Sequence, residues 1–175
     1  MRDKKVVLLT QAAVIAAIYV VLCQVFAPIS FREIQVRIAE GLTILPFFTP
    51  AAVPGLFVGC LIGNMLAGAI PLDVVCGSLA TLAGAVGTYL IGKAVKKTRI
   101  DALKFTLPLP PIIANTIVVP LVLFYGYGVN LPIPLQMLTV GLGEIVGCGV
   151  IGMVILIALE KSRLPIFQED INTQH

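Results

Sequence analysis

Chemistry is most readily argued from Glu144. It stands in the run VGLGEIVGCGV, where it is the only Asp, Glu, Lys or Arg and Gly141, Gly143 and Gly147 leave space beside it. Insertion into a bilayer costs about 2.5–3.5 kcal/mol for an Asp, Lys or Arg at the centre of a helix, so such groups are kept where they pair with something. Two roles fit: a carboxylate that binds a solute or couples an ion, or a protonated carboxyl hydrogen-bonded to a neighbouring helix. Asn115, in IIANTIVV, offers an amide that would serve a ligand or glue two helices. The stretch IQVRIAEG sets Arg37 and Glu40 directly before the apolar run LTILPFF. Three apart, they suit an i,i+3 ion pair on a first helical turn, or Arg37 snorkels to the headgroups. Asp73 follows Pro71, where a carboxylate caps a helix or binds a cation. Asn64 and Gln136 are weaker candidates of the same polar kind. Tyr125 and Tyr127, which flank Gly126, and Phe31 supply flat faces for stacking or anchors at the membrane interface.

The elements that must position these groups are membrane helices. Of 175 residues, 58% are hydrophobic and 12% charged. The mean hydropathy is +1.03, well beyond a water-soluble domain of ordinary composition. Apolar stretches continue to residue 160, so the first is expected to be a retained span and not a cleaved signal peptide. Six spans are expected, over residues 6–27, 38–49, 55–69, 72–92, 105–126 and 133–160. Pro28, Pro50, Pro54 and Pro71 mark their breaks, and the second and third are short for a bilayer. They form a single domain over 1–163, an all-α integral membrane bundle of six helices, followed by a polar tail at 164–175. On this map Glu144 lies about eleven residues, roughly 17 Å, into the sixth span. Asn115 falls at a similar depth in the fifth, so the two can meet.

Charge placement orients the bundle. Arg2, Lys4 and Lys5 precede the first span; Lys93, Lys96, Lys97, Arg99 and Lys104 lie between the fourth and fifth; Lys161 and Arg163 follow the sixth. Ten of the twelve basic residues thus fall on one side, which the positive-inside rule makes cytoplasmic, with both termini. The expected location is the plasma membrane. Arg32 and Arg37 are the exceptions outside; with Glu33 and Glu40 they concentrate polar recognition in one external lid.

Lipid gives helices no hydrophobic reason to associate, so small residues mark their contacts. Gly55, Gly59 and Gly63, and likewise Gly143 and Gly147, read as packing within the bundle. The first span carries two overlapping pairs, Ala12 with Ala16 and Ala13 with Ala17, for its own bundle or for an external helix. Cys23, Cys60, Cys76 and Cys148 are scattered singly through apolar segments and read as small hydrophobes with no metal-ligand spacing. The one histidine is His175. Without a nucleophile, base or metal cluster, an enzyme is not expected, nor is a metal, cofactor or nucleic-acid partner.

The AAxxAA-like first helix, the charged first outer loop, and QVRIAEGLTILPFFTPAAVPGLFVGCLIGN followed by DVVCGSLATL carry a resemblance. Over about residues 5–160 the chain resembles the substrate-binding S component of an energy-coupling-factor (ECF) transporter, within it the QueT family of queuosine-precursor transporters. The resemblance implies a six-helix protein that captures its solute outside and docks on a membrane T subunit with two cytoplasmic ATPases. ATP hydrolysis by those partners then topples it and delivers the solute inward. It also implies that Ala12, Ala13, Ala16 and Ala17 form the partner-docking face.

The implied solute is a 7-deazaguanine, either pre-queuosine-1 (7-aminomethyl-7-deazaguanine) or queuine. Its N1–H and 2-amino group are parallel donors that a carboxylate accepts together, and Glu144 is the first choice. An amide from Asn115, Gln136 or Asn64 would meet O6 and the pyrrole nitrogen. The aminomethyl cation calls for a second carboxylate, Glu40 or Asp73, with Arg37 holding Glu40. Tyr125, Tyr127 or Phe31 would clamp the ring. An S component for another vitamin remains an alternative, since one fold hosts many ligands. So does a self-contained channel or secondary transporter with Glu144 as its coupling group, although no inverted repeat is evident.

Overall fold

The computed structural model describes residues 4–26, 37–98 and 100–162, all of it helix and turn. Helix α1 is Lys4–Val25, α2 is Ala52–Leu66, α3 is Pro71–Thr98 and α4 is Leu109–Tyr125. A last long rod consists of α5 (Ile133–Glu144), a π-helical segment (Ile145–Ile151) and α6 (Gly152–Ser162). Two 3-10 helices complete the described residues, Ile38–Phe47 and Asp101–Thr106. Among the described residues four helical stretches are long and apolar enough to cross a membrane: Lys4–Val25, Pro71–Thr98, Asp101–Tyr125 and Ile133–Ser162.

The second expected span, 38–49, is a helix of a different kind. Ten residues of 3-10 helix rise about 20 Å, against about 15 Å for the same number in an α-helix. So short a segment therefore travels further than its length suggests. From Ala39 to Phe47 every residue is buried, because the segment runs inside the protein between α3, the π turn and α6. Runs of 3-10 helix this long are uncommon. This one is held by its neighbours: a Cβ on Gly41 would sit 2.8 Å from the Ile151 side chain and 3.2 Å from the Gly147 carbonyl.

The other boundaries shift for local reasons. The third expected span, 55–69, starts earlier and stops at Leu66, where Gly68 takes φ +75°. There Ala69 N–H donates to the Asn64 carbonyl at 3.0 Å and Gly68 N–H to Met65 at 3.2 Å, the paired bonds of a Schellman stop. The fourth was expected to end at residue 92 with the apolar run, but α3 continues to Thr98. Its basic extension is supported by aromatic faces, with Lys93 over Tyr89 and Lys96 over Phe47. The fifth, 105–126, is broken at its start, where a 3-10 turn precedes Pro108 and α4 begins at Leu109.

Close helix approach rests on the small residues. A Cβ on Gly55 would lie 2.7 Å from the Ala12 carbonyl, and one on Gly59 would lie 2.8 Å from the Tyr19 Cβ and 3.1 Å from the Ala16 Cα. This glycine stripe thus packs α2 on α1, inside the bundle as expected. Gly84 meets Pro111 in the same way, joining α3 to α4.

Candidate functional site

Polar groups converge where the start of the long 3-10 helix meets the π turn. Arg37 is itself extended (φ −89°, ψ 94°), and its carbonyl accepts from Glu40 N–H at 3.0 Å to open the first 3-10 turn. Glu40 is 0% exposed and Glu144, the last residue of α5, is 2% exposed. Gly147 lets the two elements touch: a Cβ there would be 2.8 Å from the Arg37 carbonyl and 4.0 Å from the Glu40 Cβ. π-Helical turns inside α-helices are frequent at functional sites, and this one directly follows the carboxylate.

Each carboxylate has identifiable neighbours. Glu40 Oε1 accepts from the Tyr19 hydroxyl and, at 3.1 Å, from the Thr81 hydroxyl. Its Oε2 is buried with no partner. Cys148 donates its thiol to Glu144 Oε2 at 3.1 Å. Asn115, 1% exposed, lies against Glu144, yet neither its amide oxygen nor its amide nitrogen makes a hydrogen bond of good geometry. Buried amides and carboxylates are rarely left so, since an unmade bond to such a group costs about 1–3 kcal/mol.

A second polar layer adjoins the first. Arg37 Nη2 donates to Asn64 Oδ1, and Asn64 Nδ2 donates to Cys60 Sγ at 3.5 Å. Asp73, in the first turn of α3, accepts from the Tyr127 hydroxyl at 3.0 Å. That hydroxyl also accepts from the Ile70 amide at 3.3 Å. Gly77 is the point these groups share: a Cβ there would meet Asp73 Oδ1 at 3.2 Å, Asn64 Nδ2 at 3.3 Å and Arg37 Nη1 at 4.0 Å. Gln136 Nε2 donates to the Leu131 carbonyl at 2.8 Å and to Val129 at 3.3 Å, closing the α4–α5 turn while its Oε1 stays buried and unpartnered.

Seven of the residues singled out in the sequence thus fall in adjoining layers: Glu144, Asn115, Glu40, Arg37, Asn64, Asp73 and Tyr127. Gln136 braces the turn beside them. Tyr125 does not join them: it is 73% exposed and packs edge-on against Phe124, 5.1 Å between ring centroids. Phe31, with Arg32 and Glu33, lies outside the described residues. The expected i,i+3 pair is also absent, since Arg37 turns to Asn64 while Glu40 is held by α1 and α3. The reason is local, because Arg37 precedes the helix in extended conformation and its side chain is not in helical register with Glu40.

The alanines of α1 divide. Ala12 and Ala16 lie against Gly55 and Gly59 of α2, so they are taken up by the bundle. Ala13 and Ala17 are exposed among Leu9, Val14, Ile18 and Val21. Of the two pairs only the second is open to another helix, because a surface already packed on α2 is closed to one.

Three partners of the carboxylates were not foreseen. Tyr19 and Thr81 are not singled out in the sequence, and Cys148 reads as a small hydrophobe. Cys148 carried the better signal, since it stands four residues after Glu144 and so shares its helix face. Donor atoms of Glu40, Glu144 and Cys148 lie within 4.8 Å of one another. Two carboxylates and a thiol suit a thiophilic divalent cation; they also suit paired N–H donors and an ammonium group. The Asn115 amide, which abuts Glu144 without a hydrogen bond of good geometry, separates the two uses: a metal would satisfy its oxygen but not its N–H donors, whereas a heterocycle edge carrying donors and acceptors would satisfy both.

Comparison with known proteins bears on which it is. A family model described as QueT transporter matches residues 9–161. A curated relative, the queuosine precursor transporter QueT of Lactococcus lactis subsp. cremoris (strain MG1363), is 33% identical over 84 residues. That match covers 47% of this chain and 49% of the relative, about half the length of each. No solved structure matches the chain.

Proposed function

This chain belongs to the QueT transporter family and is a multi-pass membrane protein; from that premise we propose that it is the substrate-capture S component of an ATP-driven ECF importer. Its solute is a queuosine precursor, pre-queuosine-1 or queuine. The chain itself is no enzyme; ATP is hydrolysed by partner ATPases bound to a membrane T subunit. In this reading the four long stretches and the two shorter apolar helices, Ile38–Phe47 and Ala52–Leu66, make six membrane crossings. The basic end, with Lys4, Lys93 and Lys161, faces the cytoplasm, and the polar site opens toward the other side. Supporting this reading above all are two buried groups whose hydrogen bonding is incomplete, Glu40 Oε2 with no partner and the Asn115 amide with no bond of good geometry although it abuts Glu144.

In that site Glu144 accepts the N1–H and 2-amino donors of the base. The Asn115 amide donates an N–H to O6, beside the edge that Glu144 holds. Glu40, and not Asp73, takes the ammonium, because the Glu40 carboxylate lies within reach of Glu144 and its Oε2 is buried with no partner, whereas Asp73 belongs to the adjoining layer with Tyr127. Arg37 is separately engaged by Asn64 and steadies the adjoining layer. Of the aromatics expected to clamp the ring, Tyr127 is the one that the described residues bring to the adjoining layer, fixed by its hydroxyl and 41% exposed.

The test is binding by the purified chain. Calorimetric titration is expected to give sub-micromolar affinity, roughly −8 kcal/mol or better, for pre-queuosine-1 or queuine, with riboflavin, biotin and thiamine inert. Binding of a control vitamin instead would reassign the solute. A self-contained transporter would move base in vesicles without partners, whereas an S component requires the T subunit and ATPases.

Docking has its own expected result. Leucine at both Ala13 and Ala17 leaves base affinity within about twofold but prevents co-purification with the T subunit, since close helix contacts depend on small residues. Retained assembly would move the docking face off α1.

A further inference from the structure

Glu40 is gripped asymmetrically. Both hydroxyl donors, Tyr19 from α1 and Thr81 from α3, address the same oxygen, Oε1. Oε2 has no partner, and the Glu40 carboxylate comes within 4.8 Å of ligand atoms of Glu144 and Cys148. Two donors on one oxygen fix the plane of the carboxylate and leave the other oxygen as the one acceptor offered to a ligand. Tyr19 itself has little freedom: it is 0% exposed, and its Cβ would be 2.8 Å from a Cβ on Gly59. Its position follows from how α1 lies on α2.

We propose that Tyr19 is a positioning residue of the solute site, through which α1 sets the Glu40 carboxylate that takes the solute's cation. This rests on the functional reading above. Tyr19 shares the inward face of α1 with Ala12, Ala16 and Cys23, whose contacts with Gly55, Gly59 and Gly63 line that seam. Ala17 stands about 200° round the helix from it at 3.6 residues per turn, on the exposed side. One helix thus carries the docking alanines on its outer side and a donor to the solute site on its inner side. A shift of α1 along α2 moves the phenol relative to Glu40, so docking and solute affinity share a mechanical element.

The experiment is calorimetric binding of two bases, pre-queuosine-1 and plain 7-deazaguanine, which lacks the aminomethyl cation. For Tyr19→Phe the expected result is about a tenfold or greater loss for pre-queuosine-1, the scale of one hydrogen bond to a charged group. 7-Deazaguanine should change by no more than about twofold, which also shows that the variant is folded. Thr81→Val, which removes the other donor to Oε1, should give the same selective pattern. Equal losses for both bases would make Tyr19 a packing residue and overturn the proposal, as would unchanged affinity for pre-queuosine-1. Glu144→Gln separates the two readings, since it should weaken both bases alike. If the wild-type chain binds neither base, the functional reading fails and this one with it.

Discussion

Glu144→Gln is expected to lower affinity for pre-queuosine-1 by about a hundredfold or more in calorimetric titration. The substitution keeps the volume of the side chain and its reach from the end of α5. It replaces one of two acceptor oxygens with an NH2 group, which then faces a donor on the base. A charge-assisted pair is lost and a donor is turned against a donor, in a site only 2% exposed where water cannot compensate. Hydrogen bonds to charged groups contribute about 1.5–3 kcal/mol each, and each 1.4 kcal/mol is tenfold in affinity. Two altered bonds therefore give two decades or more. Cys148 loses its acceptor at Oε2 or keeps it, depending on the amide's orientation. That weak thiol bond changes little beside the loss on the base. An affinity within threefold of wild type would mean that the base edge is read elsewhere and would remove Glu144 from the floor of the site.

How much of this site is legible in the sequence depends on whether a residue's role follows from its depth or from its backbone. Glu144 and Asn115 follow from depth: counting residues into two successive spans brings a carboxylate and an amide to one level, and the structure has them in contact. Glu40 follows from being a charge without a polar spacer before an apolar run. Its partner does not. Helical spacing assigns Arg37 to Glu40, but the assignment presumes that both lie in one helix, and Arg37 is extended. Tyr125 and Tyr127 are a residue apart and look equivalent in sequence. The turn after α4 sends one outward beside Phe124 and brings the other to Asp73, a difference set by the loop path. A tyrosine in an apolar helix carries no mark that its hydroxyl crosses to another segment, so Tyr19 was silent. The π turn is silent too, because i→i+5 bonding has no compositional signature. The short second segment signals that something other than an ordinary span occupies 38–49, though not that it is a 3-10 helix.

Gly147→Val is expected to abolish measurable base binding and to lower the thermal transition of the detergent-solubilised chain by several degrees. Its Cβ alone would stand 2.8 Å from the Arg37 carbonyl oxygen, with the Glu40 Cβ 4.0 Å away. The obstructing atom is backbone, so no rotamer change relieves it. That carbonyl is already committed as acceptor to Glu40 N–H, and moving it disturbs the turn that places Glu40. The alternative is to displace the π turn, which carries Glu144 at its entry and Cys148 within it. Either adjustment separates the two carboxylates, so one added side chain acts on both halves of the site. Overpacking of this kind costs about 1–3 kcal/mol, and valine adds the χ1 restriction of a β-branched residue in a helix. Gly149→Ala tests the geometry within the same turn. Its Cβ would find nothing closer than the Ile145 and Ile112 side chains at 3.8 and 4.0 Å, so binding and transition temperature should hold. Equal damage from both variants would make the π turn generally intolerant of side chains; damage from Gly147 alone ties it to the contact with Arg37 and Glu40. On that outcome, the glycine beside Glu144 serves to bring a second carboxylate to the first, more than to leave empty space for a ligand.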